Sequence, residues 1–257
     1  NERISTFVCV PSVMSVVARF EAFSALKPTT LKNVLFVGER MPIKHLSYWR
    51  KELPNVRFVN LYGSTEVAGN SCYYVVDRDF GDDEMLPIGY TFETAQIFLL
   101  DENGCVSEEG EICVAGDGLA MGYYKDKEKT DAAFKELNID SFNGMVYHSG
   151  DYGRINDHGE YICVARKDAQ IKHMGHRIEL EEIESAMAKI EGIERVCCVF
   201  DEAKSKLYGF YIGDMDKKEL HKKMTEKLPV FMVPGALRKV EDMPLTKNGK
   251  IDRKALL

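Results

Sequence analysis

The run Val56-Arg57-Phe58-Val59-Asn60-Leu61-Tyr62-Gly63-Ser64-Thr65-Glu66 decides how the chain is read. Its first seven residues have the β-branched and aromatic character of a strand. Gly63 ends that pattern, and hydroxyls and a carboxylate follow. The break puts Ser64, Thr65 and Glu66 at the carboxyl end of a strand, where open α/β sheets hold their ligands. The residue types suit a phosphorylated ligand. Tyr62 offers a flat face for a base, Thr65 a hydroxyl for a phosphate oxygen, and Glu66 a hard oxygen donor for Mg2+. Taken alone, a Tyr-Gly-Ser turn before an acidic residue is also an ordinary structural turn. The surrounding sequence separates the two readings.

Upstream, Phe7–Val10 reads as a strand, and Pro11-Ser12 open a helix over Val13–Phe23. Val34–Val37 is a buried strand, and Ile43–Leu53 a helix closed by Pro54. Residues 1–75 thus alternate strand and helix, the pattern of a parallel sheet. Downstream the texture changes. Short strands at 88–100, 111–115, 154–156 and 160–165 with turn residues between them predict a small antiparallel β-barrel over 76–167. From 168 to 257 the pattern is α+β: an amphipathic helix over Glu179–Ile190, strands Arg195–Phe200 and Leu207–Ile212, and a helix over Asp216–Leu228. The expected fold class is α/β plus β-barrel plus α+β, with domains at 1–75, 76–167 and 168–257.

At 257 residues and 45% hydrophobic content the chain can build real cores. A net charge of −7 argues against a nucleic-acid surface. From Met215 to Leu257, eleven Lys/Arg face six Asp/Glu, a basic end suited to an anionic ligand or partner. Seven cysteines lie mostly in apolar runs without a Cys-x-x-Cys, which fits reduced thiols in a cytoplasmic protein. No signal peptide and no long apolar span is present, so no membrane span is expected. His173-x-x-His176 lacks a third metal ligand, and Gly116–Gly122 reads as turns rather than a phosphate cradle.

Five further motifs follow the Tyr-Gly-Ser-Thr-Glu turn in order. Gly110-Glu111-Ile112-Cys113-Val114-Ala115-Gly116 runs on to Gly122-Tyr123-Tyr124. Tyr147-His148-Ser149-Gly150-Asp151 comes next. Arg166-Lys167-Asp168 leads on to Lys172, Gly175 and Arg177-Ile178-Glu179-Leu180-Glu181-Glu182-Ile183-Glu184. Leu228-Pro229-Val230-Phe231-Met232-Val233-Pro234 and Asn248-Gly249-Lys250-Ile251-Asp252-Arg253-Lys254 complete the set. In this order and spacing they resemble the second half of the adenylate-forming superfamily. The wording is closest to D-alanine–carrier protein ligases and nonribosomal peptide synthetase adenylation domains.

That resemblance implies a two-step ligase. A carboxylate attacks ATP to give an acyl-adenylate, and the phosphopantetheine thiol of an acidic carrier protein then takes the acyl group. It implies that Asn60, Tyr62, Gly63 and Ser64 line the nucleotide, with Asn60 and Tyr62 toward adenine. Thr65 would meet the α-phosphate and Glu66 the Mg2+. Asp151 would accept the ribose hydroxyls beside Arg166. Asp168 would be the hinge of a small mobile C-terminal lid carrying Lys250, which bridges carboxylate and phosphate. A compact cation on a flexible stem suits that bridge, because two anions must approach each other there. Val37-Gly38-Glu39 and 62–69 would form part of an amino-acid pocket.

The family's phosphate-binding loop should lie further upstream than the 61 residues before Tyr62 allow. The chain also starts at Asn1, so it is expected to be a piece of a longer protein, unable to form adenylate alone. His148, Ser149 and Ala165 depart from the more usual Arg, Thr and Gly, and Val37 is bulkier than expected beside D-alanine. Two rival readings remain: an acyl-CoA ligase of the same superfamily, and a non-catalytic module that docks a carrier protein.

Overall fold

The computed structural model describes residues 3–81, 84–166, 170–245 and 251–257. The chain divides into two compact units, one through residue 168 and one from residue 169.

The first unit opens with β1 (Thr6–Cys9), α1 (Pro11–Arg19), β2 (Asn33–Val37), α2 (Ile43–Glu52), β3 (Arg57–Ser64), β4 (Gly69–Val75) and β5 (Tyr90–Thr91). They form one sheet in the order β1-β2-β3-β4-β5. β1, β2 and β3 run parallel, as the alternation of strand and helix predicts. β4 and β5 then add an antiparallel edge. Pro11 at the first turn of α1 forgoes a hydrogen bond the helix could not make there. The Ser12 amide is capped from a distance by the Glu39 carboxylate at 2.8 Å. Met14 and Ala18 of α1 join Ile43, Leu46 and Trp49 of α2 over Val34, Phe36 and Phe58 of the sheet. The Trp49 indole is buried because its N–H finds the Met14 carbonyl at 2.9 Å.

The second sheet of this unit contains β6 (Ala95–Leu100), β7 (Glu109–Gly116), β8 (Phe134–Ile139), β9 (Phe142–Ile155) and β10 (Tyr161–Arg166), with α3 (Lys127–Ala133) before β8. Its order is β10-β9-β7-β6, with β8 also on β9. The expected barrel is not formed: among the described residues the strands make an open sheet with separate edges. The reason is the length of β9. Its first part pairs with β8, its last part with β10, and β7 lies along the other side. Two short strands sharing one long partner leave no ring to close. Ile97, Leu99, Ile112, Val114 and Tyr147 of this sheet pack with Tyr62, Cys72 and Ile88, so the two sheets share a core.

The second unit comprises β11 (Gln170–His173), β12 (His176–Glu179), α4 (Leu180–Ala188), β13 (Ile193–Asp201), β14 (Lys206–Gly213), α5 (Lys217–Lys227) and β15 (Ala236–Lys239). β11 and β12 are a hairpin whose two turn residues, Met174 and Gly175, both have positive φ, as a two-residue turn of that hand requires. β13 and β14 are antiparallel, and β15 adds a parallel strand. Leu180, Ile183 and Met187 of α4 and Leu220 and Met224 of α5 fill one core with Cys198, Leu207 and Tyr211. The Asp216 side chain caps α5 by accepting from the Lys218 amide at 2.8 Å. Among the described residues no helix is long and apolar enough to cross a membrane.

The cysteines differ sharply in access. Cys105 is exposed, whereas Cys72, Cys113, Cys197 and Cys198 are buried. Burial pushes the Cys72 thiol up to about 12. Thiolate, not thiol, is the reacting form. Alkylation at pH 8 followed by peptide mass mapping is therefore expected to modify Cys105 first. The four buried thiols should react only after denaturant unfolds the chain.

Candidate functional site

The carboxyl end of β3 delivers Asn60, Tyr62, Gly63 and Ser64, and a 3-10 turn over Thr65–Val67 follows at once. Gly63 is required there. A Cβ at this position would fall 1.7 Å from the Gly69 carbonyl oxygen, so β4 can fold back on β3 only against a bare backbone.

Tyr62 is buried, and its hydroxyl donates to Asp151 Oδ2 at 2.7 Å. Asp151 stands in the second half of β9 and is 3% exposed. Its other oxygen accepts from Arg166 Nη1 at 2.7 Å, from the last residue of β10. Arg166 also donates through Nη2 to the Ser149 carbonyl at 3.1 Å. The Ser149 hydroxyl accepts the Asp151 amide and donates to the Ile112 carbonyl at 2.6 Å. Three strands from two sheets thus meet on one carboxylate. Each carboxylate oxygen accepts from one of these donors. Burial pushes the Tyr62 phenol well above its ordinary 10, and the Asp151 charge adds to the effect. The proton therefore stays on tyrosine and the hydrogen bond keeps its direction.

Glu66 is part-buried, and its Oε1 accepts from the Tyr123 hydroxyl at 2.7 Å. The Ala120 amide donates to the Glu66 carbonyl at 2.9 Å, tying the 119–123 segment to the turn after β3. Burial, then the bond to Glu66, raises the Tyr123 phenol above its usual range. Thr65 is exposed at the start of the turn. The Ser64 Oγ is buried without a hydrogen-bond partner among the described residues. Asn60 is buried, and its amide donates to the Pro87 carbonyl at 2.7 Å, fixing the loop that enters β5.

The structure therefore brings Tyr62, Asp151 and Arg166 together and sets Ser64 at the end of β3 with Thr65 and Glu66 on the turn after it. Lys250 and Asp168 lie outside the described residues. Tyr123 is a functional candidate to which sequence reading assigned no role, although it stands in the quoted Gly122-Tyr123-Tyr124 motif. Two other motif residues are structural anchors. Arg253 Nη2 meets both Glu184 carboxylate oxygens, at 2.9 and 3.0 Å, and ties the C-terminal segment to α4.

The description "AMP-binding enzyme" matches residues 1–124, and "AMP-binding enzyme C-terminal domain" matches residues 182–250. The chain is 33% identical over 264 residues to tyrocidine synthase 3 of Brevibacillus parabrevis, covering 100% of this chain and 4% of the synthase. It is 33% identical over 274 residues to a D-alanine–D-alanyl carrier protein ligase of Streptococcus pneumoniae, covering 99% of this chain and 52% of that ligase. The chain thus spans about half the length of the curated D-alanine ligases it matches. A solved structure of holo-PA1221, a nonribosomal peptide synthetase protein with adenylation and PCP domains, superposes with a TM-score of 0.84 at 28% identity, covering 98% of this chain and 44% of that one.

Removing the Tyr62 hydroxyl leaves a buried charged acceptor short of a donor, at a cost of about 1–3 kcal/mol. Tyr62→Phe is expected to lower urea stability at pH 8 by that amount with circular dichroism unchanged. The pH dependence has a definite sign. The Tyr62 phenol titrates higher in the folded chain than its ordinary 10. Its stabilising effect is full below pH 10 and lost as pH rises from 10 toward the raised folded value. Urea midpoints from pH 9 to 11.5 should fall less steeply in Tyr62→Phe than in the native chain.

Proposed function

The chain belongs to the AMP-binding enzyme family, and from that premise we propose that it works as the C-terminal half of an ATP-dependent, amino-acid-activating ligase. The first step joins the amino-acid carboxylate to the α-phosphate of ATP and releases pyrophosphate. The second moves the acyl group to the phosphopantetheine thiol of a carrier protein.

The observation that carries this reading is the Tyr62–Asp151–Arg166 constellation beside the Glu66 turn. In it Asp151 holds the ribose hydroxyls, Tyr62 and Arg166 orient that carboxylate, and Ser64 and Thr65 supply hydroxyls to the phosphate. Asn60 keeps its amide oxygen for the base while its nitrogen holds Pro87. Glu66 fits Mg2+ by donor chemistry, a hard carboxylate oxygen two residues after the unsatisfied Ser64 hydroxyl. When bound, Mg2+ offsets charge on the departing pyrophosphate. Tyr123 orients the Glu66 carboxylate. Lys250 bridges carboxylate and phosphate in the first step, and Asp168 is the hinge between steps.

Similarity to D-alanine–D-alanyl carrier protein ligases supports a small amino acid as substrate and a carrier as acceptor. The basic stretch from Met215 to Leu257 suits an acidic carrier, because complementary charge speeds encounter. Val13, Val16, Phe20 and Leu26, in the part of the chain that builds the first sheet, are exposed apolar side chains, which suits cover by further protein.

The test is amino-acid-dependent pyrophosphate exchange by the full-length protein, with D-alanine, L-alanine, glycine and small carboxylic acids. Exchange with an amino acid is expected. None with any acid would sink the ligase reading. Lys250→Ala should lower exchange by about 10²-fold or more while sparing thioester formation from supplied acyl-adenylate. Asp168→Pro should instead stall turnover between the two half-reactions, and unchanged overall turnover would refute the hinge.

A further inference from the structure

A second cluster stands on β7 and β9, apart from the proposed ATP contacts. Glu111 and Cys113 are two residues apart on β7, so they share a face. His148 of β9 is the direct cross-strand partner of Cys113. The register shifts between Glu111 and Cys113, and that irregularity draws Glu111 in beside the same imidazole. His148 Nδ1 lies 3.4 Å from Cys113 Sγ and 3.1 Å from Glu111 Oε2. All three donor atoms fall within 4.8 Å of one another.

We propose that Glu111, Cys113 and His148 are a binding site for a thiophilic divalent transition metal, Zn2+ foremost. The spacing carries the argument. Tetrahedral zinc with bonds of about 2.3 Å to sulfur and about 2.0–2.1 Å to nitrogen and oxygen sets S···N and N···O edges of about 3.5 and 3.4 Å. The observed 3.4 and 3.1 Å need only a small adjustment. The proton arrangement argues the same way. Nδ1 carries one proton or one lone pair, yet two heteroatoms converge on it. A cation at their common point takes a lone pair from each.

Thiolate, imidazole and carboxylate together favour zinc over Mg2+ or Ca2+. The Cys113 sulfur is fully buried, while the Glu111 and His148 side chains are each 18% exposed, so an ion and a fourth ligand from water can reach the outer side. Binding replaces the sulfur–hydrogen bond of Cys113 by a sulfur–metal bond and releases that proton to solvent. Neutral His148 keeps its proton on Nε2 and gives its Nδ1 lone pair to the metal.

The site has a structural consequence. Glu111 Oε1 accepts the Gly150 amide at 3.0 Å. A metal on Glu111 and His148 therefore braces the β7–β9 irregularity directly before Asp151. The inference rests on these three side chains and stands whether or not the ligase reading does.

The test uses the purified chain with Co2+ as spectroscopic probe and Zn2+ in competition against a chromophoric chelator. One metal per chain is expected, with a thiolate-to-cobalt band in the near ultraviolet. Zn2+ should displace that band and raise the thermal midpoint. Cys113→Ser should abolish the band. His148→Gln and Glu111→Gln should weaken Zn2+ binding by more than the roughly 10–100-fold typical of lost supporting contacts. Cys105→Ser, at an exposed position, should change nothing. Absence of a stoichiometric metal, or a band that persists in Cys113→Ser, overturns the proposal. If Cys113→Ser does not fold, His148→Gln and Glu111→Gln decide the question, because both positions are partly solvated. Native Zn2+ affinity in those two variants overturns it equally.

Discussion

A carboxylate that is 3% exposed persists in charged form only where strong donors replace its water. Asp151 has them in the Tyr62 hydroxyl and the Arg166 guanidinium, each at 2.7 Å. Those donors come from the ends of β3 and β10, and the acceptor from β9. One buried charge thereby links the parallel sheet to the antiparallel one. Loss of either donor leaves that buried charge less well satisfied. The geometry of the first unit around β3 is set by that requirement as much as by apolar packing.

Two backbone features make the meeting possible. Gly63 lets the chain reverse against β3 with no side chain between. The length of β9 carries it from its pairing with β8, through the His148-Ser149-Gly150 segment, to Asp151 and its pairing with β10. Ser149 works inside that strand, bonding the Ile112 carbonyl on one side and the Asp151 amide on the other. The Glu66–Tyr123 hydrogen bond does comparable work for the turn, holding the 119–123 segment against it. The same strands place Glu111, Cys113 and His148 together, beside the register irregularity that precedes Asp151.

In the second unit, motif residues that look catalytic by their charge are in part architectural. Glu184 accepts the Cys198 amide at 2.7 Å and both contacts from Arg253, so α4, β13 and the C-terminal segment share one carboxylate. One guanidinium nitrogen meets both carboxylate oxygens, and such charge-assisted hydrogen bonds are stronger than neutral ones. The pair positions the residues after Ile251 against the core formed by Cys197, Val199, Tyr208, Phe210 and Met243.

Local pattern was enough for the elements whose burial is written in their own residues. The parallel strands β1 to β3, the helices α1, α2, α4 and α5, and the β13–β14 pair all follow from apolar spacing, because each buries a face that its own sequence supplies. The strand-turn at 60–66 and the family motifs were legible for the same reason, as short runs with a fixed order. Tertiary structure decided the rest. β9 carries three glycines and several polar residues in its interior, so only its end near 154–156 reads as a strand, and β15 is half polar; pairing with neighbours makes both of them strands. The expected barrel gave way to an open sheet because strand length and sharing, which no local window records, govern closure. That the Tyr62 hydroxyl is taken by Asp151, and that Tyr123 reaches Glu66, are contacts across 89 and 57 residues. The sequence determined which groups are present; only the folded chain decided which of them hold one another.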